Sequence, residues 1–171
     1  MEEIKICREK TVCFTGHRVI AADVAEVLED SLRKAIGIYI RRGYTCFITG
    51  GAIGFDSMAA RCIATLKREH GNIQHILALP CRDQTANWKK LSDLSFYKEM
   101  LGSADLVVYT SQLYEEGCMQ KRNRYMVDNS SVCISYVRSS RGGSAYTYKY
   151  AEKQGLEVVN LNCLTEQLTF C

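Results

Sequence analysis

Short apolar segments alternate with segments of helical periodicity along almost the whole chain, and this alternation limits the available folds more than any other feature. The apolar segments predict strands, the last at a sheet edge, at Thr11–Thr15, Thr45–Thr49, His75–Leu79, Asp105–Tyr109, Ser131–Val137 and Glu157–Asn160. Apolar residues at steps of three and four predict helices at Asp23–Arg42, Asp56–Glu69, Asn87–Leu101, Cys118–Asn129 and Ser144–Gln154. A weak helical pattern follows near the C-terminus.

Strands that are apolar throughout are typical of a parallel sheet covered on both faces, and strands joined by helices are typical of βαβ units. The pattern predicts the α/β class: a Rossmann-like three-layer sandwich whose mainly parallel sheet has about five to six strands. The expected strand order is 3-2-1-4-5, with helices on both faces. A length of 171 residues predicts one domain, spanning 1–171.

Composition narrows the expected partners and compartment. The formal net charge of +3 does not demand a nucleic acid partner, so none is expected, although a local basic patch stays compatible with it. The nine cysteines include no C-x-x-C pair, which favours free thiols in a reducing compartment and no bound metal. No signal peptide is visible and no apolar run approaches the roughly 18 residues of a membrane span, so a cytoplasmic protein is expected. A homo-oligomer is left open.

Ligands of open α/β sheets bind at the carboxyl ends of the strands, so the residues after each strand are the candidates for a binding site. These candidates are Thr15, Gly16, His17 and Arg18 after strand one, and Gly50, Gly51, Ala52, Gly54 and Asp56 after strand two. They continue with Gln84 and Trp88 after strand three, Arg122 and Asn123 on the fourth helix, and Gly142, Gly143 and Ser144 after strand five. No catalytic residue and no metal ligand is assigned.

The glycines of the second and fifth loops are interpreted as phosphate-binding turns, because glycine lets the backbone approach a ligand and the next helix offers free N–H groups. A tight turn that simply needs glycine is the alternative. Asp56 is either the N-cap of its helix or a contact to a ligand hydroxyl. Arg138 and Arg141 either reach a phosphate or belong to a solvated basic loop.

The other polar candidates each have two interpretations. Arg18 is an anion ligand or part of a structural salt bridge, and His17 is a structural hydrogen-bonding group or a proton donor. Arg122 and Asn123 either face the cleft or belong to an ordinary amphipathic helix. Gln84 and Trp88 either sandwich a base or, for Trp88, complete the core.

Two common nucleotide fingerprints are absent. The dinucleotide motif follows the first strand and needs an acidic residue at the end of the next one, whereas the glycine loop here follows the second strand. No Gly-Lys-Ser/Thr occurs, so a P-loop is missing as well. Ordinary NAD dehydrogenase or ATPase chemistry is therefore unsupported.

Taken together, several segments resemble the YpsA-like family of the SLOG superfamily, which is related to the Smf/DprA and LOG proteins. The matching segments are CFTGHR at 13–18, ITGGAIGFDSMAA at 48–60, ADLVV at 104–108, KRNRYMVDNS at 121–130 and GGSAYTYKYA at 142–151. The resemblance implies a Rossmann-like fold and a pocket for a nucleotide derivative such as ADP-ribose or an NAD-related molecule. The sequence departs from the family at Val19, where proline is common, and at Ser144, where threonine is usual.

The resemblance leaves three functions open. LOG enzymes release a base from a nucleotide with a glutamate in a PGGxGTxxE motif, and the matching stretch here, GGSAYTYK at 142–149, has none. A nucleotide-binding or sensing protein without strong catalysis is therefore the first expectation. A nucleotide N-glycosidase, with Asp56 or Asp128 as a substitute acid, is the second. DprA-like binding of single-stranded DNA is the third, weakened by the modest net charge.

Overall fold

The computed structural model describes residues 4–163, which form one six-stranded, all-parallel sheet flanked by helices. The strands are β1 (Thr11–Gly16), β2 (Cys46–Thr49), β3 (Gln74–Leu79), β4 (Leu106–Tyr109), β5 (Val132–Tyr136) and β6 (Glu157–Asn160). The helices are α1 (Ala22–Arg41), α2 (Phe55–Glu69), α3 (Leu91–Ser103), α4 (Cys118–Asp128) and α5 (Gly143–Lys153), and a short 3₁₀ turn (Arg8–Lys10) precedes β1. The predicted fold class is confirmed, while the weak C-terminal helical pattern lies outside the described residues.

The strand order is β4-β3-β2-β1-β5-β6, so the expected order 3-2-1-4-5 is wrong for β4. β4 pairs with β3 at the sheet edge, from Ile76 opposite Leu106 to Leu79 opposite Tyr109. The reason is the packing of α3, whose Tyr97 and Met100 lie against Leu77 and Leu79 of β3. This contact carries the chain outward past β3, and all four β4 residues are only partly buried, as an edge strand requires.

Two layers of helices cover the sheet, and the handedness of the crossovers assigns each helix to its layer. Strands β1 to β4 are added in one direction, so right-handed crossovers put α1, α2 and α3 on one face. The chain then returns across the sheet to β5, which puts α4 and α5 on the other face. Phe14, Phe47 and Ile134 pack under α1 and α2, whereas Cys13, Cys46 and Cys133 pack under α4 and α5.

The third helix is shorter than the sequence predicts. It begins at Leu91 rather than Asn87, because the chain first makes two turns in which Ala86 N–H donates to Asp83 O and Trp88 N–H donates to Thr85 O.

The cysteines predicted to act as small apolar groups are buried, including Cys13, Cys46 and Cys133. Among the described helices, none has an apolar stretch long enough to cross a membrane.

Strand order reverses between β1 and β5, which are hydrogen-bonded neighbours from Val12–Val132 to Gly16–Tyr136. The chain winds away from β1 toward β4 on one side and from β5 toward β6 on the other. At such a switch point the loops that leave neighbouring strands diverge and open a crevice at the carboxyl ends of the strands. The candidate site is expected there.

Candidate functional site

A cavity of about 220 Å³ lies at the carboxyl ends of β1 and β2, beside the switch point. Its wall is formed by the ends of these two strands, one face of α4 and the first turn of α5. The lining residues are Phe14, Thr15, Gly16, Arg18, Gly50, Ala52, Asp56, Met119, Arg122, Asn123, Met126, Gly143 and Ser144. Residues that the sequence predicted after three different strands therefore come together in one place.

The turn after β2, residues Gly50–Gly54, is called the closed turn because its groups are occupied by neighbouring protein atoms. Asp56 accepts hydrogen bonds from Gly50 N at 3.1 Å and Ala52 N at 2.7 Å. The N-cap of α2 is Gly54, so the interpretation of Asp56 as N-cap is wrong: its carboxylate lies in the first turn and reaches back to the loop. Both carboxylate oxygens act as acceptors, which is the behaviour of the ionised form.

A buried arginine lies over the closed turn. Arg122 of α4 donates from Nη1 to Gly50 O and from Nε to Asn123 Oδ1, the latter at 2.7 Å. A side chain at Gly50 would collide with this guanidinium, which explains the glycine there. Burial lowers the pKa of Arg122, and the nearby charge of Asp56 partly offsets this by raising it. Burial raises the pKa of Asp56, and the charge of Arg122 together with the hydrogen bonds from Gly50 and Ala52 acts in the opposite direction. Arg122 lines the cavity, and its Nη2 makes no hydrogen bond with the described residues.

The remaining glycines of the closed turn serve packing. A Cβ on Gly51 would lie 2.6 Å from Leu79 Cδ2, and one on Gly54 would lie 2.6 Å from Arg18 Cα. Both glycines have positive φ, and neither lines the cavity. Gln84 is buried and donates to Gly51 O at 3.2 Å, while its Oε1 has no hydrogen-bond partner among the described residues.

Two predicted residues after β1 differ in their surroundings. His17 Nε2 accepts a hydrogen bond from Arg138 N at 2.7 Å, which is a structural role, and burial together with the charge of Arg138 lowers its pKa. Arg18 is exposed on the cavity wall. It makes neither an ion pair nor a side-chain hydrogen bond within residues 4–163, so the alternative of a structural salt bridge is not realised there.

The turn after β5, residues Arg138–Gly143, is called the open turn. Gly142 is the N-cap of α5 with φ of 95°, and a Cβ on Gly142 or Gly143 would meet no atom within 4 Å. Ser144 Oγ donates to Gly16 O at 2.7 Å and thereby ties α5 to the end of β1. The N–H groups of Gly143 and Ser144 find no acceptor among the described residues.

Six of the sixteen predicted residues do not line the cavity, namely His17, Gly51, Gly54, Gln84, Trp88 and Gly142. Trp88 packs edge-to-face on Tyr97 with ring centroids 5.4 Å apart, and Gln84 binds the closed turn, so they do not form a base sandwich at this cavity. Sequence reasoning missed Phe14, Met119 and Met126 in its wall. The helical spacing of α4 could have predicted Met119, because Met119 lies three residues before Arg122 and seven before Met126, on the same face of the helix.

Carboxylates near the site are scarce among the described residues. Asp56 is the only one in the cavity wall. Asp83 Oδ1 accepts from Tyr114 N at 2.9 Å, and Asp128 Oδ1 accepts from Tyr150 Oη at 2.8 Å. The part of the chain that the structure describes holds no cluster of His, Cys, Asp and Glu side chains suited to a metal ion.

A parallel sheet with a cavity at its switch point defines a Rossmann-like α/β protein. Within this class the YpsA model, described as the YspA SLOG family, matches residues 15–167, and the chain belongs to that family. The resemblance drawn from the motifs is thereby confirmed.

Known relatives and structures support the family and the fold. The chain is 34% identical over 119 residues to the uncharacterized SPbeta prophage-derived protein YoqJ of Bacillus subtilis, covering 63% of this chain and 69% of that one. The DNA processing protein A (DprA) of Streptococcus pneumoniae superposes with a TM-score of 0.61 at 15% identity, covering 88% of this chain. DprA of Helicobacter pylori, whose structure concerns a single-stranded DNA binding mode, gives 0.62 at 17% identity and 88% coverage. The chain spans 49% and 64% of these two DprA chains, and the likeness concerns the fold alone.

Proposed function

We propose that the chain binds a nucleotide derivative, with ADP-ribose or an NAD-related molecule as the expected type, and that it does so without strong catalysis. The phosphate of the ligand lies between Arg18, Arg122 and the first turn of α5. The ligand is recognised and held, as in a sensor, rather than turned over.

One observation carries the proposal: donors without acceptors converge on a single cavity at the switch point. Arg18 has no ion pair with the described residues, and the N–H groups of Gly143 and Ser144 are free at the start of α5. A helix N-terminus and an arginine together favour a phosphate, because partial and full positive charges point at the same volume. Asn123 adds an amide group at the wall.

The expectation of weak catalysis follows from the state of Asp56. Release of a base needs a group that assists the leaving base or stabilises an oxocarbenium-like charge, a task usually given to carboxylates. Both oxygens of Asp56 already accept backbone hydrogen bonds, and its position is fixed by the closed turn. A nucleotide N-glycosidase acting through Asp56 is the enzymatic alternative.

Calorimetry with ADP-ribose and AMP tests binding, and chromatography of the same samples tests turnover. Arg18→Ala is expected to weaken binding by about tenfold or more, because it removes a charge-assisted hydrogen bond to phosphate. Arg41→Ala, an exposed arginine at the end of α1, is the matched control and should bind as the parent does. Failure of both probes to bind would contradict the proposal. Rapid base release that is lost in a folded Asp56→Asn variant would favour the enzyme.

Binding of single-stranded DNA is a second candidate, supported by the charges around the open turn. Arg138 and Arg141 are exposed beside Gly142 and Gly143, and Arg18 faces the same edge, although the net charge is small. The fold is similar to that of a DprA studied for its single-stranded DNA binding. A small net charge alone therefore does not exclude a nucleic acid partner. Anisotropy of a labelled oligonucleotide is the test: binding that weakens steeply with salt and is lost in Arg138→Ala/Arg141→Ala supports this candidate.

A further inference from the structure

A second cavity adjoins the first and shares Arg18 as part of its wall. It has a volume of about 450 Å³ and lies between the β1–α1 loop, the first turns of α2 and the start of α3. Ile20, Ile53, Met58 and Phe96 supply its apolar surface, while Arg18, Arg61 and Lys90 supply positive charges and Asp93 a negative one. We name it the α2–α3 groove. Of the predicted site residues, only Arg18 and Gly54 line it.

One part of the groove offers a stacking surface. The guanidinium of Arg61 lies over the Phe96 ring, 5.3 Å from its centroid, and Phe96 is only partly buried. A nucleobase stacks on aromatic rings and on arginine planes because each base has a π-face. An arginine plane that is supported by an aromatic ring therefore suits a base.

Another part of the groove offers an acceptor. Asp93 lies in the first turn of α3, and within residues 4–163 its carboxylate has neither a hydrogen-bond donor nor an ion-pair partner. Acidic side chains in dinucleotide-binding folds accept hydrogen bonds from ribose hydroxyls. An unpaired carboxylate next to a stacking surface matches the two halves of a nucleoside.

The sizes of the two cavities fit a ligand divided between them. Pockets for drug-sized ligands measure about 300–1,000 Å³, and the first cavity, at about 220 Å³, is below this range. The surfaces flanking the groove are also apolar: Val19, next to Arg18, is 85% exposed and Leu91, at the start of α3, is 80% exposed. Exposed side chains of this size gain by covering a ligand.

We propose that the α2–α3 groove is a nucleoside subsite, in which the base stacks on the Arg61 guanidinium that lies over Phe96 and the ribose hydroxyls bind Asp93. The phosphate chain then passes Arg18 into the first cavity. This inference rests on the proposed function, since it takes the first cavity as the phosphate site. It names the substrate class more closely: a phosphorylated compound whose nucleoside lies on the α2–α3 side of Arg18.

The test compares ADP-ribose with inorganic pyrophosphate, which has neither a base nor a ribose, by calorimetry on the full chain. Phe96→Leu keeps an apolar side chain in the α3 packing and removes the ring, and Asp93→Ala removes the acceptor. Each is expected to weaken ADP-ribose by about fivefold or more and to leave pyrophosphate unchanged. Glu99→Ala, an exposed carboxylate on α3 that does not line the groove, is the matched control and should change neither probe.

Each outcome separates the subsite from the phosphate site. If ADP-ribose binds, loses affinity in Arg18→Ala and is indifferent to Phe96→Leu and Asp93→Ala, the subsite is wrong and the phosphate site stands. If neither probe binds the parent, the proposed function fails and the subsite with it. Thermal unfolding of each variant keeps a loss of affinity distinct from a loss of fold.

Discussion

The closed turn and the open turn are both glycine-rich and follow strands β2 and β5 of one sheet. Their surroundings differ, because protein side chains bind the first and leave space around the second. Asp56, Arg122 and Gln84 all bind the closed turn, and the backbone of Arg18 leaves no room for a side chain at Gly54. The open turn has space around Gly142 and Gly143 and no buried charge bound to it. The first turn is held by contacts of the fold, whereas the N–H groups of Gly143 and Ser144 at the second have no acceptor among the described residues.

The comparison explains why a glycine-rich turn after a strand is a weak predictor of a ligand contact. Glycine at positive φ can be required by a neighbouring backbone, as at Gly54, or can leave donors accessible, as at Gly142. The distinction lies in what approaches the turn from elsewhere in the chain. Asp56 reaches the closed turn from the helix that directly follows it, whereas Arg122 comes from α4, so the arginine contact is a tertiary one.

The largest effect is expected for matched alanine substitutions at Gly54 and Gly142, the N-cap glycines of α2 and α5. Both have φ near 90°, so each variant strains the backbone by about 2 kcal/mol. Only Gly54→Ala adds a collision with the Arg18 backbone, which brings its expected cost to about 4 kcal/mol. Urea unfolding measures both. Equal losses of unfolding free energy would remove the difference between the turns.

Acidification should lower the stability of the protein through His75, whose hydrogen-bond partner Thr49 directly precedes the closed turn. This histidine is buried, shares a 2.7 Å hydrogen bond with Thr49 Oγ1 at the end of β2, and burial lowers its pKa to about 4. The unfolded chain, with an ordinary value of 6.5, binds the extra proton first. Stability is therefore present above pH 6.5 and lost as pH falls toward 4, by about 3 kcal/mol in total.

Urea unfolding at several pH values, on the parent and on His75→Gln, isolates this contribution from that of the carboxylates. The variant is expected to lose less stability than the parent between pH 6.5 and 4. Parallel curves for the two proteins would show that His75 is not the responsible group. His17, beside the open turn, also has a lowered pKa but is only partly buried, so its variant should change the curve less.

The smallest effect is expected at Ser144, which links the open turn to β1 through one hydrogen bond to Gly16 O. Ser144→Ala should cost about 1 kcal/mol, the usual net value of one hydrogen bond. Ligand affinity should change little, because the backbone N–H groups remain. Ser144→Thr, which restores the residue usual in the family, is the matched control. A loss of ADP-ribose binding in Ser144→Ala alone would assign the hydroxyl to the ligand instead.

Sequence periodicity predicted the strands and helices well because the central strands β1, β2, β3 and β5 are buried on both faces and each helix packs by one face. It placed β4 wrongly because the apolar run Leu106–Tyr109 does not record whether the strand pairs with β1 or with β3. The α3 contacts of Tyr97 and Met100 decide that, and they are long-range.

For the site, the position of the candidates at strand ends predicted most of the cavity wall, since parallel strands bring their carboxyl ends together. The roles of individual side chains were harder to predict. Trp88 lies in the α3 packing, and Asp56 binds its own loop. Both depend on the directions of side chains, which neither spacing nor residue type specifies. Phe96 and Asp93 gave no motif, because their relation to the site arises only from the packing of α3 beside α2.

Amide hydrogen exchange with and without ADP-ribose tests the division between the two turns most directly. The N–H groups of Gly50 and Ala52 are bound to buried Asp56, so they should exchange slowly in the free protein. Those of Gly143 and Ser144 have no acceptor in the described residues, so they should exchange rapidly and become protected when the ligand binds. Rapid exchange at Gly50 and Ala52 in the free protein, or unchanged exchange at Gly143 and Ser144 under saturating ADP-ribose, would contradict the account.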